Sequence, residues 1–77
     1  MKTTIISPEK ILFEGDVQRI KVPGAQGAFE ILNNHAPIIS ILSKGKVECL
    51  GDSNFEIVIT SGFVEVADNK VSICVEL

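Results

Sequence analysis

The sequence predicts an all-β protein, a flattened two-sheet sandwich or barrel of about eight to ten short strands. Apolar residues make up 45% of the chain and charged residues 22%, a balance that is typical of a packed globular protein. Isoleucine and valine dominate the apolar set, and such β-branched side chains favour strands over helices. Turn-forming residues interrupt the chain every few positions, as they do in sandwiches of short strands.

The length of the chain, 77 residues, bounds the number of domains. A chain this short has room for one core and buries only about 60% of the surface that its unfolded form exposes. No repeat of fixed period, low-complexity stretch or polar linker divides it. We therefore expect residues 1–77 to form a single β-sandwich domain.

The first three predicted strands are residues 3–7, 11–13 and 17–22. A turn at residues 7–10 (SPEK) separates the first two, because proline lacks an amide hydrogen for a β-ladder and fits the first corner of a tight turn. The apolar positions of the third run break strict alternation. We expect a β-bulge near residues 18 and 19, which would restore a single inward face.

The central part of the chain alternates loops and apolar runs. Residues 23–27 form a loop by composition, and residues 28–32 are a short apolar strand that ends at Asn33-Asn34, a pair that tolerates left-handed backbone angles. Residues 37–42 are almost continuously apolar, and turn-forming residues connect them to 47–50. We expect these last two runs to pair as a hairpin.

The C-terminal part shows the clearest strand pattern. Residues 51–54 (GDSN) predict a reversal, after which three apolar side chains alternate with other residues, so that one face lies on a core. Residues 63–67 and 70–75 flank Asp68-Asn69, a pair suited to a two-residue hairpin turn with positive φ at both corners. The three alternating side chains, which we expect to line the space between two sheets, are Phe55, Ile57 and Ile59.

Composition and charge exclude several classes of function. The formal net charge is −3 and the basic residues are scattered, so no surface for nucleic acid is expected. No apolar run reaches the roughly 20 residues of a membrane span, and the N-terminus does not match a signal peptide. These patterns predict a soluble, cytoplasmic protein. Cys49 and Cys74 lack metal-site spacing, and we expect two buried free thiols rather than a disulfide.

No pattern predicts a catalytic centre, a cofactor or a metal. His35 is the one histidine, so a metal site built from several imidazoles is excluded within one chain. A nucleophile pair of His35 with Ser40 or a cysteine, oriented by Glu30, lacks any signature, and a loop histidine at a contact surface is the simpler interpretation. Gly24 and Gly27 are expected to form turns, since no helix follows to complete a phosphate site.

Two further features have alternative interpretations. Lys70 follows a hairpin turn, as the modified lysine of a lipoyl-like carrier domain does, although an ordinary solvated lysine is the simpler interpretation. Residues 36–39 (APII) could supply either core or an exposed docking edge, and core is the default expectation. Residue patterns alone thus predict a non-catalytic β-sandwich, which leaves an adaptor and a carrier domain open.

A family resemblance distinguishes these functions. Residues 22–29 (VPGAQGAF), followed by Ile31-Leu32 and by residues 35–39 (HAPII), resemble the epsilon subunit family of bacterial F-type rotary ATP synthases. The resemblance covers nearly all 77 residues. It continues upstream and downstream of this segment at Ser7-Pro8-Glu9-Lys10, Phe13, Gly15, Val17, Ser61-Gly62-Phe63-Val64-Glu65-Val66, Asn69, Val71 and Ile73.

The resemblance implies a non-catalytic rotor part of the central stalk. Such a sandwich binds the gamma subunit and rests on the membrane-embedded c-ring, and it helps to couple proton translocation to ATP synthesis. It would lie at the cytoplasmic face of the bacterial inner membrane without spanning it. The contact residues for gamma and the c-ring that the resemblance implies are Gly27, Ala28, Phe29, Glu30, Ile31, His35, Ala36, Pro37, Ile38, Ile39 and Ser40.

The sequence departs from the family pattern at three places. Glu30 occupies a position where relatives usually have glycine, and Asn33-Asn34 one where they often have Pro-Gly, so the loop facing the ring is expected to differ in shape. The sequence ends at Leu77, where relatives usually continue into two helices that can brake ATP hydrolysis. We therefore expect no helical brake in this chain.

Overall fold

The computed structural model describes residues 1–52 and 54–77, which form nine strands and no helix. The predicted all-β class and two-sheet sandwich are confirmed. The strands are β1 (Lys2–Ile6), β2 (Ile11–Asp16), β3 (Arg19–Val22), β4 (Phe29–Leu32), β5 (Ile38–Leu42), β6 (Gly45–Leu50), β7 (Phe55–Ile59), β8 (Ser61–Ala67) and β9 (Lys70–Glu76).

The strands divide into a five-stranded sheet with the order β2-β1-β9-β8-β5 and a four-stranded sheet with the order β4-β3-β6-β7. Strands β1 and β9 are parallel, whereas the other pairs are antiparallel. A parallel pair cannot be joined by a tight turn, and here most of the chain lies between its two members. The first strand therefore completes its sheet only when the last one is in place.

The core lies between the sheets and follows from the two-residue period of the strands. In β9, for example, Val71, Ile73 and Val75 are buried while Lys70, Ser72 and Glu76 are exposed. The same alternation gives Phe55 and Ile57 half-buried positions packed on the core and buries Ile59, as predicted. The fully buried side chains with the largest volumes are Ile5, Ile20, Ile31, Leu42, Ile59 and Ile73.

The turns predicted at residues 7–10 and 68–69 are confirmed. At residues 7–10 the Ser7 amide donates to the Lys10 carbonyl over 2.9 Å. Asp68 and Asn69 have φ values of 52° and 58°, the positive angles that a two-residue hairpin turn needs. The reversal predicted at residues 51–54 includes Ser53, which lies outside the described residues; the strands on either side, β6 and β7, pair antiparallel.

The predicted hairpin between residues 37–42 and 47–50 is wrong. Strand β5 pairs with β8, whereas β6 pairs with β3 and β7. The chain instead passes from one sheet to the other after β5, where the Ser43 amide donates to the Pro23 carbonyl over 2.8 Å. Glycine and lysine after β5 do indicate a change of direction, but local composition does not specify the sheet that the next strand joins.

The predicted bulge near residues 18 and 19 is also wrong, because Val17 and Gln18 form a crossing between the sheets. The Val17 amide donates to the carbonyl of Met1, the residue before β1, over 3.0 Å, and the Gln18 amide donates to the carbonyl of Leu50 in β6 over 2.9 Å. A register irregularity does occur in the chain, but between Ile5 and Ile6 in β1. The crossing keeps Val17 buried in the core, so the expected inward face is preserved.

The two cysteines are both free, as predicted, but they differ in burial. Cys49 in β6 is fully buried, which confirms the expectation for that thiol. Cys74 is only half-buried, because it faces outward from β9 between two inward-facing neighbours, Ile73 and Val75. The prediction of a second buried thiol is therefore wrong.

Candidate partner-binding surface

The residues implied by the resemblance lie on the edge strands of both sheets. Strand β4 is one of the two edge strands of the four-stranded sheet, and β5 is one of the two edge strands of the five-stranded sheet. Residues 33–37 connect them directly, and a bridge between Gly24 and Leu42 joins the loop before β4 to the end of β5. The two edges thus lie along the same side of the sandwich.

The loop before β4 is held by close backbone contacts. The Ala25 amide donates to the Ile41 carbonyl and the Gly27 amide donates to the Gly24 carbonyl, each over 2.9 Å. A Cβ at Gly24 would lie 2.6 Å from the Gly27 oxygen and 2.8 Å from Cε1 of Phe29. There is therefore no room for a side chain at position 24. Because glycine has none, the Phe29 ring can cover the loop. The glycines act as turn formers, in agreement with the simpler interpretation.

The loop after β4 is tied to two distant parts of the chain. The Asn34 amide donates to Oδ1 of Asn69, in the β8–β9 turn, over 2.8 Å. Oδ1 of Asn33 accepts a hydrogen bond from the Met1 amino group over 3.0 Å. Asn34 has a φ of 62°, an angle that asparagine tolerates better than most residues. These ties fix the position from which His35, Ala36 and Pro37 project.

The polar groups of the surface form short-range contacts. Oε2 of Glu30 lies 3.5 Å from Nε of Arg19 on the neighbouring strand, and both side chains are nearly half exposed. Nδ1 of His35 lies 2.8 Å from the Ala36 carbonyl oxygen. Among the hydrogen bonds of the described residues, none joins His35 to Ser40, to Glu30 or to a cysteine. The geometry therefore provides contact groups rather than a nucleophile and a base.

The implied contact residues differ in their access to a partner. Ile31 is fully buried between the sheets, so its side chain holds β4 in place and is closed to a partner in this fold. Four others are half-buried: Phe29, His35, Ile38 and Ser40. The exposed members are Gly27, Ala28, Glu30, Ala36, Pro37 and Ile39.

The default expectation that residues 36–39 belong to the core is wrong for three of the four. Ala36 and Pro37 are exposed, and Ile39 has 74% of its surface exposed, while Ile38 alone packs on the core. The reason is the period of the strand, since adjacent residues of β5 face opposite sides of the sheet. A depression of about 390 Å³ forms here, lined by Pro37, Ile39 and Ala67 among others.

The sequence analysis missed a larger apolar groove on the outer face of the five-stranded sheet. The groove has a volume of about 470 Å³ and is lined by Ile6, Pro8, Ile41, Phe63 and Cys74 among others. Ile41 has 64% of its surface exposed and Phe63 has 42%. The signal was present in residues 37–42, because a strand with apolar residues at neighbouring positions, such as Ile38 and Ile39 or Ile41 and Leu42, places apolar side chains on both faces.

Neither a metal centre nor a membrane-spanning helix is formed by the described residues. No three His, Cys, Asp or Glu side chains among them are grouped so that they could hold a metal ion. Over the same ranges, no helix is long and apolar enough to cross a membrane.

The fold and the surface together define a class of protein: a two-sheet β-sandwich whose candidate site is a contact surface along two strand edges. The chain belongs to the family of ATP synthase delta/epsilon chains, whose β-sandwich domain model matches residues 1–77. This match confirms the resemblance seen in the VPGAQGAF and HAPII segments.

Relatives and solved structures support the assignment to this family. An ATP synthase epsilon chain of Leptospira interrogans is 43% identical over 74 residues, which are 95% of this chain and 58% of that protein. One of Nitratiruptor sp. is 40% identical over 99% of this chain and 60% of that protein. The chain thus spans less than two thirds of the length of these relatives.

A solved structure of similar fold comes from the central stalk and c-ring of the mitochondrial ATP synthase of Tetrahymena thermophila. The match has a TM-score of 0.86 and 23% identity, over 99% of this chain and 63% of that chain. A chain in the mitochondrial ATP synthase of Euglena gracilis gives the same TM-score at 22% identity, and the match covers 95% of this chain and 48% of that chain. At such identities the likeness shows the fold.

Proposed function

We propose that this chain is a central-stalk rotor subunit of an F-type ATP synthase, which links the gamma subunit to the c-ring and so couples proton translocation to ATP synthesis. The observation that carries the proposal is the match of the whole chain, residues 1–77, to the delta/epsilon β-sandwich domain. It is supported by relatives named ATP synthase epsilon chain that are 43% and 40% identical.

In this role the chain transmits force and performs no bond chemistry. Residues 1–77 act as one domain, held by a core that both sheets share, and need neither a cofactor nor a metal. The chain works as a peripheral protein at the cytoplasmic face of the bacterial inner membrane, within the ATP synthase complex.

Contact with gamma and the c-ring uses the exposed residues along the β4 and β5 edges. Loop residues that project from a rigid scaffold are well suited to recognition, and both loops here are fixed by backbone hydrogen bonds. Gly27 and Ala28 precede β4 while Ala36 and Pro37 follow it, so the two loops lie roughly 13 Å apart across four strand residues. That separation suits one extended contact rather than a compact pocket.

The test is assembly with purified gamma and c-ring preparations. We expect Glu30→Lys to weaken co-purification at least tenfold without unfolding the sandwich, because it reverses a charge on the contact side. His35→Ala should weaken it to a smaller degree, since it removes a half-buried loop side chain. Thermal melting of each variant separates loss of contact from loss of fold.

Glu56→Lys is the matched control. Glu56 belongs to β7, the opposite edge of the same sheet, and like Glu30 it forms one exposed ion pair, in this case with Lys46 at 3.8 Å. Unchanged assembly of both Glu30→Lys and His35→Ala would contradict the proposed surface. Failure of the wild-type chain to bind gamma or the c-ring would contradict the proposed function and favour an unrelated adaptor. A lipoyl-sized mass addition at Lys70 would favour the carrier domain.

A further inference from the structure

The amino group of Met1 lies in a polar site at one end of the sandwich, among the loops that connect the strands. In its ammonium form it donates three hydrogen bonds, to the Val17 carbonyl over 2.8 Å and to Oδ1 of Asp16 and Oδ1 of Asn33 over 3.0 Å each. An ammonium group has three N–H donors, so every one of them has an acceptor. The site borders a polar depression of about 510 Å³.

The contact with Val17 continues the β1–β2 ladder by one pair. Lys2 and Asp16 are partners in that ladder, and the Val17 amide donates to the Met1 carbonyl over 3.0 Å. Met1 and Val17 therefore exchange both backbone hydrogen bonds, as one pair of an antiparallel ladder does. An ordinary amide nitrogen could form this pair as well, because it needs only one hydrogen.

The contacts with the two side chains require the ammonium group. They use the second and third hydrogens of the nitrogen, which an amide lacks. The Asp16 carboxylate forms an ion pair with the amino group. Asn33 follows β4, an edge strand of the four-stranded sheet, whereas Met1 precedes β1 of the five-stranded sheet. The amino group thus joins the start of one sheet to a loop of the other.

The Met1 side chain holds the amino group in this position. Only 6% of the residue is exposed, and it packs in the hydrophobic core. The Met1 carbonyl also accepts a hydrogen bond from Oγ1 of the fully buried Thr3 over 3.3 Å. The first residues of a domain are usually poorly ordered unless they are tied down. Met1 is tied at its side chain, its carbonyl and its nitrogen.

We propose that this site is a receptor for the unmodified ammonium group of Met1, and that a formyl or acetyl group on the nitrogen releases the loop after β4. The modification site would therefore control the order of the loop that carries His35. The inference does not depend on the proposed rotor function, because it concerns the isolated chain.

An acyl group cannot share the site with both side chains. Acylation removes the charge and leaves the nitrogen one hydrogen. An acyl carbon about 1.3 Å from the nitrogen, in the direction of either side-chain acceptor, would lie roughly 1.7 Å from the oxygen that now accepts at 3.0 Å. That oxygen must move away, and the other loses its donor. The bond from the Asn34 amide to Asn69 remains, so the change is local to the loop.

Chains of residues 1–77 made by chemical synthesis, with Met1 free or acetylated, provide the test. Acetylation should lower the melting temperature by about 4 to 8 °C. The His35 amide, which donates to the Leu32 carbonyl across the loop over 3.1 Å, should exchange its hydrogen several-fold faster. Exchange at the Val17 amide should increase less, because the ladder pair with Met1 is kept.

Acetylation of Lys2 is the matched control. Lys2 is the next residue and is exposed, so the same acyl group removes the same charge without touching the site. It should leave both the melting temperature and the exchange at His35 unchanged. A glycine added before Met1 separates contact from charge, since it converts the nitrogen to an amide but keeps the net charge. It should speed exchange at His35 as acetylation does.

Asn33→Ala tests the tie between the amino group and the loop. This variant should show the faster exchange at His35 with Met1 free, and acetylation should then add no further increase. A thermal melt verifies that the variant is folded.

Each of the following results would overturn the proposal: an acetylated Met1 that leaves exchange at His35 unchanged, equal acceleration at His35 and Val17, the same effect from acetylated Lys2, or a full effect of acetylation in Asn33→Ala. Normal exchange at His35 in the chain with the added glycine would show that only the charge matters, and would also contradict the receptor site.

Discussion

Burial changes the chemistry of the Cys49 side chain. It lies fully buried in β6, and desolvation raises the pKa of its thiol from 9.0 to about 11. Burial in apolar surroundings disfavours the thiolate, which is the reactive form. Cys49 is therefore expected to be inert to alkylation in the folded chain at neutral pH, and only the half-buried Cys74 is accessible to reagents.

The raised pKa predicts a specific dependence of stability on pH. Below pH 9 the thiol is protonated in both states, so its stabilising effect is fully present. Between pH 9 and 11 the unfolded chain loses the proton and the folded chain keeps it, so the free energy of unfolding should fall by about 2 to 3 kcal/mol. Urea melts at several pH values measure this fall.

The control for the pH prediction is a pair of cysteine variants. Cys49→Ala removes the buried thiol and should flatten the decline between pH 9 and 11, even though the smaller side chain lowers stability at every pH. Cys74→Ala should keep the decline of the wild-type chain. An equally steep decline in Cys49→Ala would mean that other groups cause the alkaline loss.

Phe55 joins the two sheets through a stacked pair of rings. Its centroid lies 4.9 Å from that of Phe13, at an interplanar angle of 24°, and the two rings belong to opposite sheets. Phe55→Ala should lower the free energy of unfolding by about 3 kcal/mol, the lower end of the usual range for phenylalanine, because the ring is half-buried. Urea or thermal melts give the value.

Val58→Ala provides the comparison for Phe55→Ala within the same strand. Val58 faces outward, so its truncation should change stability by no more than about 0.5 kcal/mol. A loss below about 1 kcal/mol for Phe55→Ala would place the ring outside the core.

At the scale of elements, the β8–β9 turn does more than reverse the chain. Its Asn69 has a φ of 58° and accepts the Asn34 amide through Oδ1 over 2.8 Å. Asn69→Gly keeps the backbone angle, since glycine adopts positive φ freely, but removes the hydrogen bond to the loop after β4. We expect a loss of about 1 kcal/mol and faster hydrogen exchange at the Asn34 amide.

Asp68→Gly separates the effect of the turn from that of the hydrogen bond. Asp68 has a φ of 52°, and glycine there preserves both the turn and the Asn69 side chain. Exchange at the Asn34 amide should then match the wild-type chain. If Asn69→Gly leaves that exchange unchanged as well, the loop bearing His35 is held by other contacts.

Strands and turns could be predicted from the sequence because their causes are local. Alternation placed Phe55, Ile57 and Ile59 toward the core, and Asp68-Asn69 specified a hairpin with positive φ. Pairing is not local, and the expected β5–β6 hairpin failed for that reason. Strand β5 pairs with β8, which follows it in the chain only after β6 and β7. No feature of the turn directly after β5 could indicate that partner.

The candidate surface could be predicted only in part. The resemblance implies a contact surface on the loops that flank β4, which stays a prediction. It also included Ile31, whose side chain points inward from β4 and is fully buried. Ile39 was expected in the core, but its position in β5 directs its side chain to solvent. The residues that line the groove on the outer face of the five-stranded sheet are scattered from position 6 to position 76, and only the strand order brings them together.

At the scale of the whole molecule, the fold depends on its last strand. Strand β9 lies in the middle of the five-stranded sheet, hydrogen-bonded to β1 on one side and to β8 on the other. It contributes three buried side chains, Val71, Ile73 and Val75. Because β1 pairs with no other central strand, loss of β9 would leave β1 and β2 detached from β8 and β5.

A chain that ends at Ala67 should therefore fail to fold. It loses both ladders of β9 and three buried side chains, each contributing about 1.5 to 3 kcal/mol, which together approach the whole stability of a small domain. A chain that ends at Val75 is the control, since it keeps those side chains and most of both ladders. Far-UV circular dichroism and the dispersion of amide NMR signals distinguish the folded chain from the unfolded one. A cooperative melt of the chain that ends at Ala67 would contradict the prediction, because it would show that the fold is stable without β9.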